Sequence, residues 1–186
     1  NEPCHVALVY PGAAATLYVN GKTFATKKSD DHVFTFKVPM EHVLKVMLSE
    51  AQRTDYCYAV VFDLDGLKHI NDNYGHTEGD YAIRSIANAV AKVTEGDEVS
   101  IRAGGDEFYL LGVRAHCTEK TLIDKVSKYR DAVAEINRAS NKPYEISASV
   151  GFSLKKLSEV HTVDDIICDA DKYMYLCKSE NKKHRR

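Results

Sequence analysis

Short apolar stretches at 5–10, 16–19, 23–25 and 33–38 are separated by Pro11-Gly12, by Asn20-Gly21 and by the polar run "KKSDD". Asn-Gly between apolar stretches is a strong hairpin signal, so the opening segment is predicted to be a small β-rich element. Pro39 suits a first helical position, and Met40, Val43, Leu44, Met47, Leu48 and Ala51 then repeat at helical spacing up to Arg53. "YAVVF" at 58–62 is a continuous apolar run of strand length, the pattern of a central strand covered on both faces. After a polar segment at 68–79, Tyr81, Ile83, Ile86, Ala87, Val90 and Val93 fall on a helical stripe. Residues 99–103 and 108–113 read as short strands on either side of "GGDE". Leu122, Ile123, Val126, Tyr129, Val133 and Ile136 mark a further helix within 118–139, and 146–152 alternates as a strand. Thr162 followed by Asp165 has the spacing of a capping box and opens a last helix through Ile166, Ile167, Ala170, Tyr173, Met174 and Cys177.

The order from residue 39 onward is therefore α β α β β α β α, with a hairpin between two crossover helices. This order predicts an α+β sandwich of the palm or ferredoxin-like kind, with a central, mainly antiparallel sheet flanked by helices. Residues 1–38 read as a β-rich extension or the end of an upstream sensory domain, and 39–183 as the principal domain. The chain has no internal repeat or low-complexity tract, and the basic "KKHRR" end reads as a frayed tail.

With 186 residues the chain suffices for one domain with a full core and a small appendage. The formal net charge of −2, from 25 basic and 27 acidic residues spread along the chain, provides no electrostatic footprint for duplex nucleic acid or an anionic membrane. Any anionic ligand must be held locally. The cysteines (Cys4, Cys57, Cys117, Cys168 and Cys177) form no C-x-x-C pair, and with no signal peptide in view they suit a reducing cytoplasm. The eight histidines lack the spacing of a zinc site. No apolar run has the length of a membrane span, so no membrane contact is expected of this segment. The first residue is Asn1 rather than Met, which suggests an excised piece of a larger, even membrane-anchored, protein.

The chemistry concentrates around "RAGGDEF" and "FDLDG". Alone, "GGDE" reads as an ordinary turn whose glycines supply positive φ and whose acidic residues solvate the tip. Asp63, however, ends a buried strand, where a carboxylate is costly unless something positive compensates it. Adjacent strands lie only about 5 Å apart, so in a palm-like sheet Asp63 and Asp106 can share one cation. A cluster of hard oxygen ligands without Cys or His suits Mg²⁺ or Mn²⁺ bound with substrate phosphates. Two such ions about 4 Å apart activate a hydroxyl and stabilise leaving pyrophosphate in an in-line displacement. Gly104 and Gly105 allow a phosphate or a nucleotide ring close to the backbone. Lys68 and nearby backbone N–H groups suit phosphates, while Asn71 and Asp80 suit a base edge. A carboxylate accepts from the paired donors of guanine, a pair that adenine lacks. Asp80 equally suits a helix N-terminus. Lys178 and Lys182, one helical turn apart, either meet a triphosphate or form a solvated, dipole-favoured basic helix end.

Taken together, "FDLDGLKHINDNYGHTEGD", "RAGGDEF", "SASVGFS" and "ADKYMYLCK" resemble, in order and spacing, the GGDEF domains of bacterial diguanylate cyclases, from about Met40 to Lys182. The resemblance implies a palm-like cytoplasmic signalling domain that condenses two GTP molecules into cyclic di-GMP and pyrophosphate, one GTP per protomer, across a homodimer of facing half-sites. By matching position it implies Asp63, Asp106 and the Leu64 carbonyl as ligands of Mg²⁺ or Mn²⁺, with Glu107 assisting the metals or deprotonating the attacking 3′-hydroxyl. It likewise implies Asn71 and Asp80 as guanine readers, Lys68, Lys178 and Lys182 as phosphate contacts, and Gly104-Gly105 against the nucleotide. Relatives that make adenine-containing products resemble this pattern but typically carry a hydroxyl residue in place of Asp80, so guanine specificity is favoured.

The chain departs from that family's pattern in three places. The R-x-x-D product-inhibition motif would fall on Glu95, Gly96, Asp97 and Glu98, which lack the arginine, so feedback binding there is not expected. "DHVFTFKVP" replaces the usual opening motif. Asn181-Lys182 replaces the common Gly-Arg, keeping a charge but losing the bidentate fork. The alternative reading is a non-catalytic module that binds GTP or cyclic di-GMP and regulates a neighbouring domain.

Overall fold

β4, Tyr56–Leu64, is buried from Cys57 through Leu64 because it is the inner strand of a sheet covered on both faces. In the computed structural model, residues 55–96, 98–162 and 164–184 are described, with backbone alone at 177 and 179–184, together with the backbone of three earlier strands. Those strands, β1 (Val6–Val9), β2 (Ala14–Val19) and β3 (Lys22–Lys28), form an antiparallel sheet in the order β1-β2-β3. Val19 pairs with Lys22 across the predicted Asn-Gly hairpin. They belong to a unit spanning Asn1–Gln52, distinct from the unit Arg53–Arg186. The expected strand at 33–38 and helix from Pro39 to Arg53 lie outside the described residues.

The second unit follows β4 with helices α1 (Leu67–Tyr74) and α2 (His76–Val93), then β5 (Val99–Gly104), β6 (Glu107–Arg114), α3 (Glu119–Ser140), β7 (Ala148–Lys156), a 3₁₀ turn and α4 (Asp164–His184). Its sheet order is β5-β6-β4-β7, antiparallel throughout. This is the antiparallel, helix-flanked α+β sheet that the pattern predicts. Alternate side chains of β4 serve the two faces. Tyr58, Val60, Phe62 and Leu64 pack with residues of α2 and α3, among them Ile86, Leu122 and Tyr129. Asp63 belongs with Cys57, Ala59 and Val61 on the opposite face, where α4 covers β4 and β7. The cap of α4 is the expected one: Asp165 N donates to Thr162 Oγ1 at 3.3 Å, and Thr162 N donates to Asp165 Oδ2 at 2.7 Å.

The polar segment 68–79, for which the sequence pattern predicts no element, is helical on either side of Gly75. Only Ile70 of α1 is buried, so the helix leaves no apolar stripe for a period to reveal. No helix of the described residues is long and apolar enough to cross a membrane.

Helix α4 approaches β7 most closely at Gly151, where a Cβ would lie 2.2 Å from the Ala170 carbonyl oxygen and 2.3 Å from Met174 N. Backbone cannot give way as a side chain can. Gly151→Ala is therefore expected to destabilise the domain by ~1–3 kcal/mol, read as a lower denaturant midpoint with little change in slope. An unchanged midpoint would contradict this packing.

Candidate active site

The tip of the β5–β6 hairpin is a turn at Gly105-Asp106, with Gly104 paired to Glu107. Gly105 has φ +35°, which favours glycine. Arg102 fixes the turn by donating from Nε and Nη2 to the Gly105 carbonyl at 3.1 and 2.7 Å. A second anchor is the hydrogen bond from Leu64 N to the Asp106 carbonyl, 2.9 Å, which ties the tip to the end of β4. Among the described residues, a Cβ at Gly104 or Gly105 would meet nothing within 4 Å, so both glycines border open space there.

On β4, Asp63 pairs in register with Glu107 on one side and with Ser149 on the other. Its residue is only 8% exposed. The compensating charge comes from α4: Lys178 Nζ donates to Asp63 Oδ1 at 2.6 Å, linking residues 115 positions apart. Burial opposes the charge on Lys178, but the bond to Asp63 and the charges of Asp63, Asp65 and Asp106 outweigh it and raise its pKa above the ordinary lysine value. Burial, with the carboxylates of Asp171, Asp63 and Asp106, raises Glu107 above the usual glutamate value. Burial first, then the charges of Glu107 and Asp171, push the Tyr109 phenol up to about 12.

Thus Asp63, Leu64, Asp106, Glu107 and Lys178 come together at one end of the sheet, beside Gly104 and Gly105. Lys68 lies exposed in the first turn of α1, just beyond the β4 turn. Asn71 of α1 rests against α2 at Gly79, where its Oδ1 would be 1.9 Å from an added Cβ; Asp80 is the next residue and exposed. Lys182 lies one turn beyond Lys178 on α4, and its side chain is outside the described residues.

Two positioning residues escaped the sequence reading. Asp65 accepts from Ser147 Oγ at 2.9 Å and Ser149 Oγ at 2.8 Å, while its own N donates to the Ser147 carbonyl at 2.8 Å. This locks the turn after Asp63 onto β7. The paired serines of "SASVGFS" were the available signal. Arg102 was the other, legible only as the residue opening "RAGGDEF".

Among the described residues, no group of three or more Asp, Glu, His or Cys side chains is placed to hold a metal ion. Mg²⁺ is usually bound through one or two carboxylates plus substrate phosphates rather than by a protein cage. Hard carboxylate oxygens at the sheet end, without sulfur or imidazole, fit such an ion.

A family described as "Diguanylate cyclase, GGDEF domain" matches residues 37–184. The chain is 33% identical over 141 residues to the bifunctional diguanylate cyclase/cyclic di-GMP phosphodiesterase MucR of Pseudomonas aeruginosa, a match covering 75% of the chain and 20% of MucR. It is 35% identical over 121 residues to the cyclic di-GMP phosphodiesterase PdeR of Escherichia coli K12, covering 64% of the chain and 18% of that protein. The chain thus spans about a fifth of either relative. Among solved structures, the GGDEF domain of DgcB from Caulobacter crescentus, in complex with c-di-GMP, aligns with a TM-score of 0.59 and 25% identity over 68% of this chain and 74% of that one. The profile match across most of the chain, the antiparallel sheet and the carboxylates gathered at its hairpin agree, and the protein belongs to the GGDEF family of diguanylate cyclase domains.

Proposed function

We propose that this domain condenses two GTP molecules into cyclic di-GMP with release of two pyrophosphates. The observation that carries the reading is the meeting of Lys178 with Asp63 beside the Asp106-Glu107 hairpin. It gathers acidic and cationic groups from three elements at one sheet end, where an isolated polar turn would need none.

In this reading Asn71 and Asp80 hold the guanine edge, and Lys178, Lys68 and Lys182 hold phosphates. Gly104 and Gly105 leave room for the nucleotide against the hairpin. Asp63 and Asp106, with the Leu64 carbonyl, would hold Mg²⁺ or Mn²⁺, which would supply charge to activate the attacking hydroxyl and neutralise the leaving group. Glu107 accepts the proton of the 3′-hydroxyl as that oxygen bonds to the α-phosphorus of the other GTP, and the bond from that phosphorus to pyrophosphate breaks. Each protomer carries one GTP, so two half-sites must face each other.

The direct test is incubation of the concentrated protein with GTP and Mg²⁺ and identification of products by chromatography and mass. Cyclic di-GMP supports the reading; GTP bound but unconverted, even in a forced dimer, overturns it. That second result would favour a non-catalytic nucleotide-binding module. Because two half-sites must meet, product formation is expected to rise faster than linearly with protein concentration until dimers saturate. Strictly linear rates where sedimentation reports monomers would remove the paired half-site.

A further inference from the structure

The two helices that carry Asn71 and Asp80 meet at one residue, Gly75, whose φ of 88° and ψ of 162° belong to a region essentially restricted to glycine. Local bonds across the joint are few: Gly75 N donates to the Asn71 carbonyl at 2.9 Å, and Glu78 N and Gly79 N donate to the Gly75 carbonyl at 3.1 and 3.3 Å. Asn71 itself rests against Gly79 across the joint, and the separation of Asn71 and Asp80 depends on that contact together with what holds the two helices from outside.

That hold comes from the segment between α3 and β7. Lys142 Nζ lies 2.9 Å from Glu78 Oε1 and 2.8 Å from Oε2, and 4.8 Å from the centroid of the Tyr81 ring. Tyr144 donates its hydroxyl to Glu78 Oε2 at 2.5 Å, and its ring lies 4.9 Å from that of Tyr74. Tyr74 ends α1, while Glu78 and Tyr81 belong to α2. Tyr144 thus touches both sides of the glycine joint at once. The segment is itself anchored: Asn137 Nδ2 donates to the Ile146 carbonyl at 2.8 Å and Asn137 Oδ1 accepts from Ile146 N at 2.9 Å. The next residue, Ser147, holds Asp65. One short stretch therefore braces both the helical joint and the turn that follows Asp63.

We propose that Lys142 and Tyr144, acting through Glu78, are positioning residues that set the spacing of Asn71 and Asp80 and so determine discrimination between purine bases. This rests on the reading that those two residues hold the base. Neither Lys142 nor Tyr144 touches the nucleotide in this scheme. A carboxylate that accepts from both N1–H and the 2-amino group separates guanine from hypoxanthine only while it is correctly placed, since hypoxanthine lacks the amino donor. Loosening the joint weakens GTP binding more than ITP binding.

The experiment measures Kd for GTP and for ITP, together with product formation from GTP, for the whole chain and for Lys142→Met, Tyr144→Phe, Glu78→Gln and Lys142→Arg. Loss of one such charged or bifurcated tether should weaken GTP binding by about tenfold and shrink the GTP-to-ITP preference severalfold. Glu78→Gln with Lys142→Met should cost little more than either alone, because both break one contact. Lys142→Arg should restore the preference. A lower melting temperature with the preference intact would overturn the proposal, since that is what a merely structural contact produces. The wild-type chain reports separately on the cyclase reading. Cyclic di-GMP from the wild type with unchanged preference in every variant overturns the brace alone. No product from the wild type, even in a forced dimer, with the preference lost in the variants, overturns the cyclase and supports the brace. A wild type that does not prefer GTP to ITP overturns the brace and the base-holding roles of Asn71 and Asp80, whatever its product.

Discussion

Asp106→Ala is expected to lower cyclic di-GMP formation by about 10²–10³-fold, the range for losing one preorganised group that stabilises developing charge. The fold should survive. Asp106 is half-buried at a turn, and the contact that ties this turn to β4 runs through its backbone carbonyl, which alanine retains. Arg102 also bonds to a backbone oxygen and keeps its partner. Asp106→Asn, with the same shape but no charge, should fall nearly as far, which separates the charge from the space it fills. The measurement is initial rate by chromatography beside a thermal midpoint. A rate within about threefold of the wild type, with the fold intact, would exclude Asp106 from the role proposed for it.

The largest loss of stability is expected at Glu98. Its side chain is 1% exposed and Lys125 is 7% exposed, with Lys125 Nζ 3.0 Å from Glu98 Oε2. Glu98 also accepts from the Tyr58 hydroxyl and from Glu95 N, and lies 3.9 Å from Arg114 Nη2. Lys125 has a second partner in the Val93 carbonyl at 2.6 Å. Glu98→Ala leaves the buried ammonium with the Val93 carbonyl and the more distant Glu95 carboxylate at 3.7 Å and strands a buried phenol, and removal of one partner from such a buried pair costs about 3–5 kcal/mol. Lys125→Met in the same chain should recover part of that loss by removing the uncompensated charge. Denaturant unfolding of both single variants and the double provides the cycle, and full additivity would mean that the pair is not coupled. Burial first, then the Glu98 contact, raises the Tyr58 pKa far above the ordinary tyrosine value. The unfolded chain then releases this proton before the folded one, so stability is expected to fall as pH rises past about 10. Glu98 occupies the last position of the stretch where a product-inhibition motif would stand, and its carboxylate serves the interior instead.

Much of this domain could be read before any coordinates. The run at 58–62 announces a strand buried on both faces because an inner strand has no polar side to alternate with. Thr162 and Asp165 announce a helix start because a cap is satisfied within one turn. The hairpin around "GGDE" follows from two apolar stretches and the glycines between them. Each is a local signal, settled by neighbours a few residues away. The acidic residues at 63, 106 and 107 were legible too, because a carboxylate ending a buried strand demands compensation.

The identity of that compensation was not legible. Lys178 stands 115 residues from Asp63, and its position on α4 suits a solvated helix end equally well. The helix at 67–74 leaves no trace in the pattern because it buries one side chain, and helical periodicity needs several to be seen. Asp65, Ser147 and Ser149, like Glu78, Lys142 and Tyr144, are unremarkable polar residues in the linear chain. Pattern along the chain specified the strands, the principal helices and the carboxylates, since these depend on period, turn and cap. Which charges meet, and which hydrogen bonds brace the site, emerged only when the sheet and α4 closed on each other, because such contacts join distant residues and leave no periodic trace.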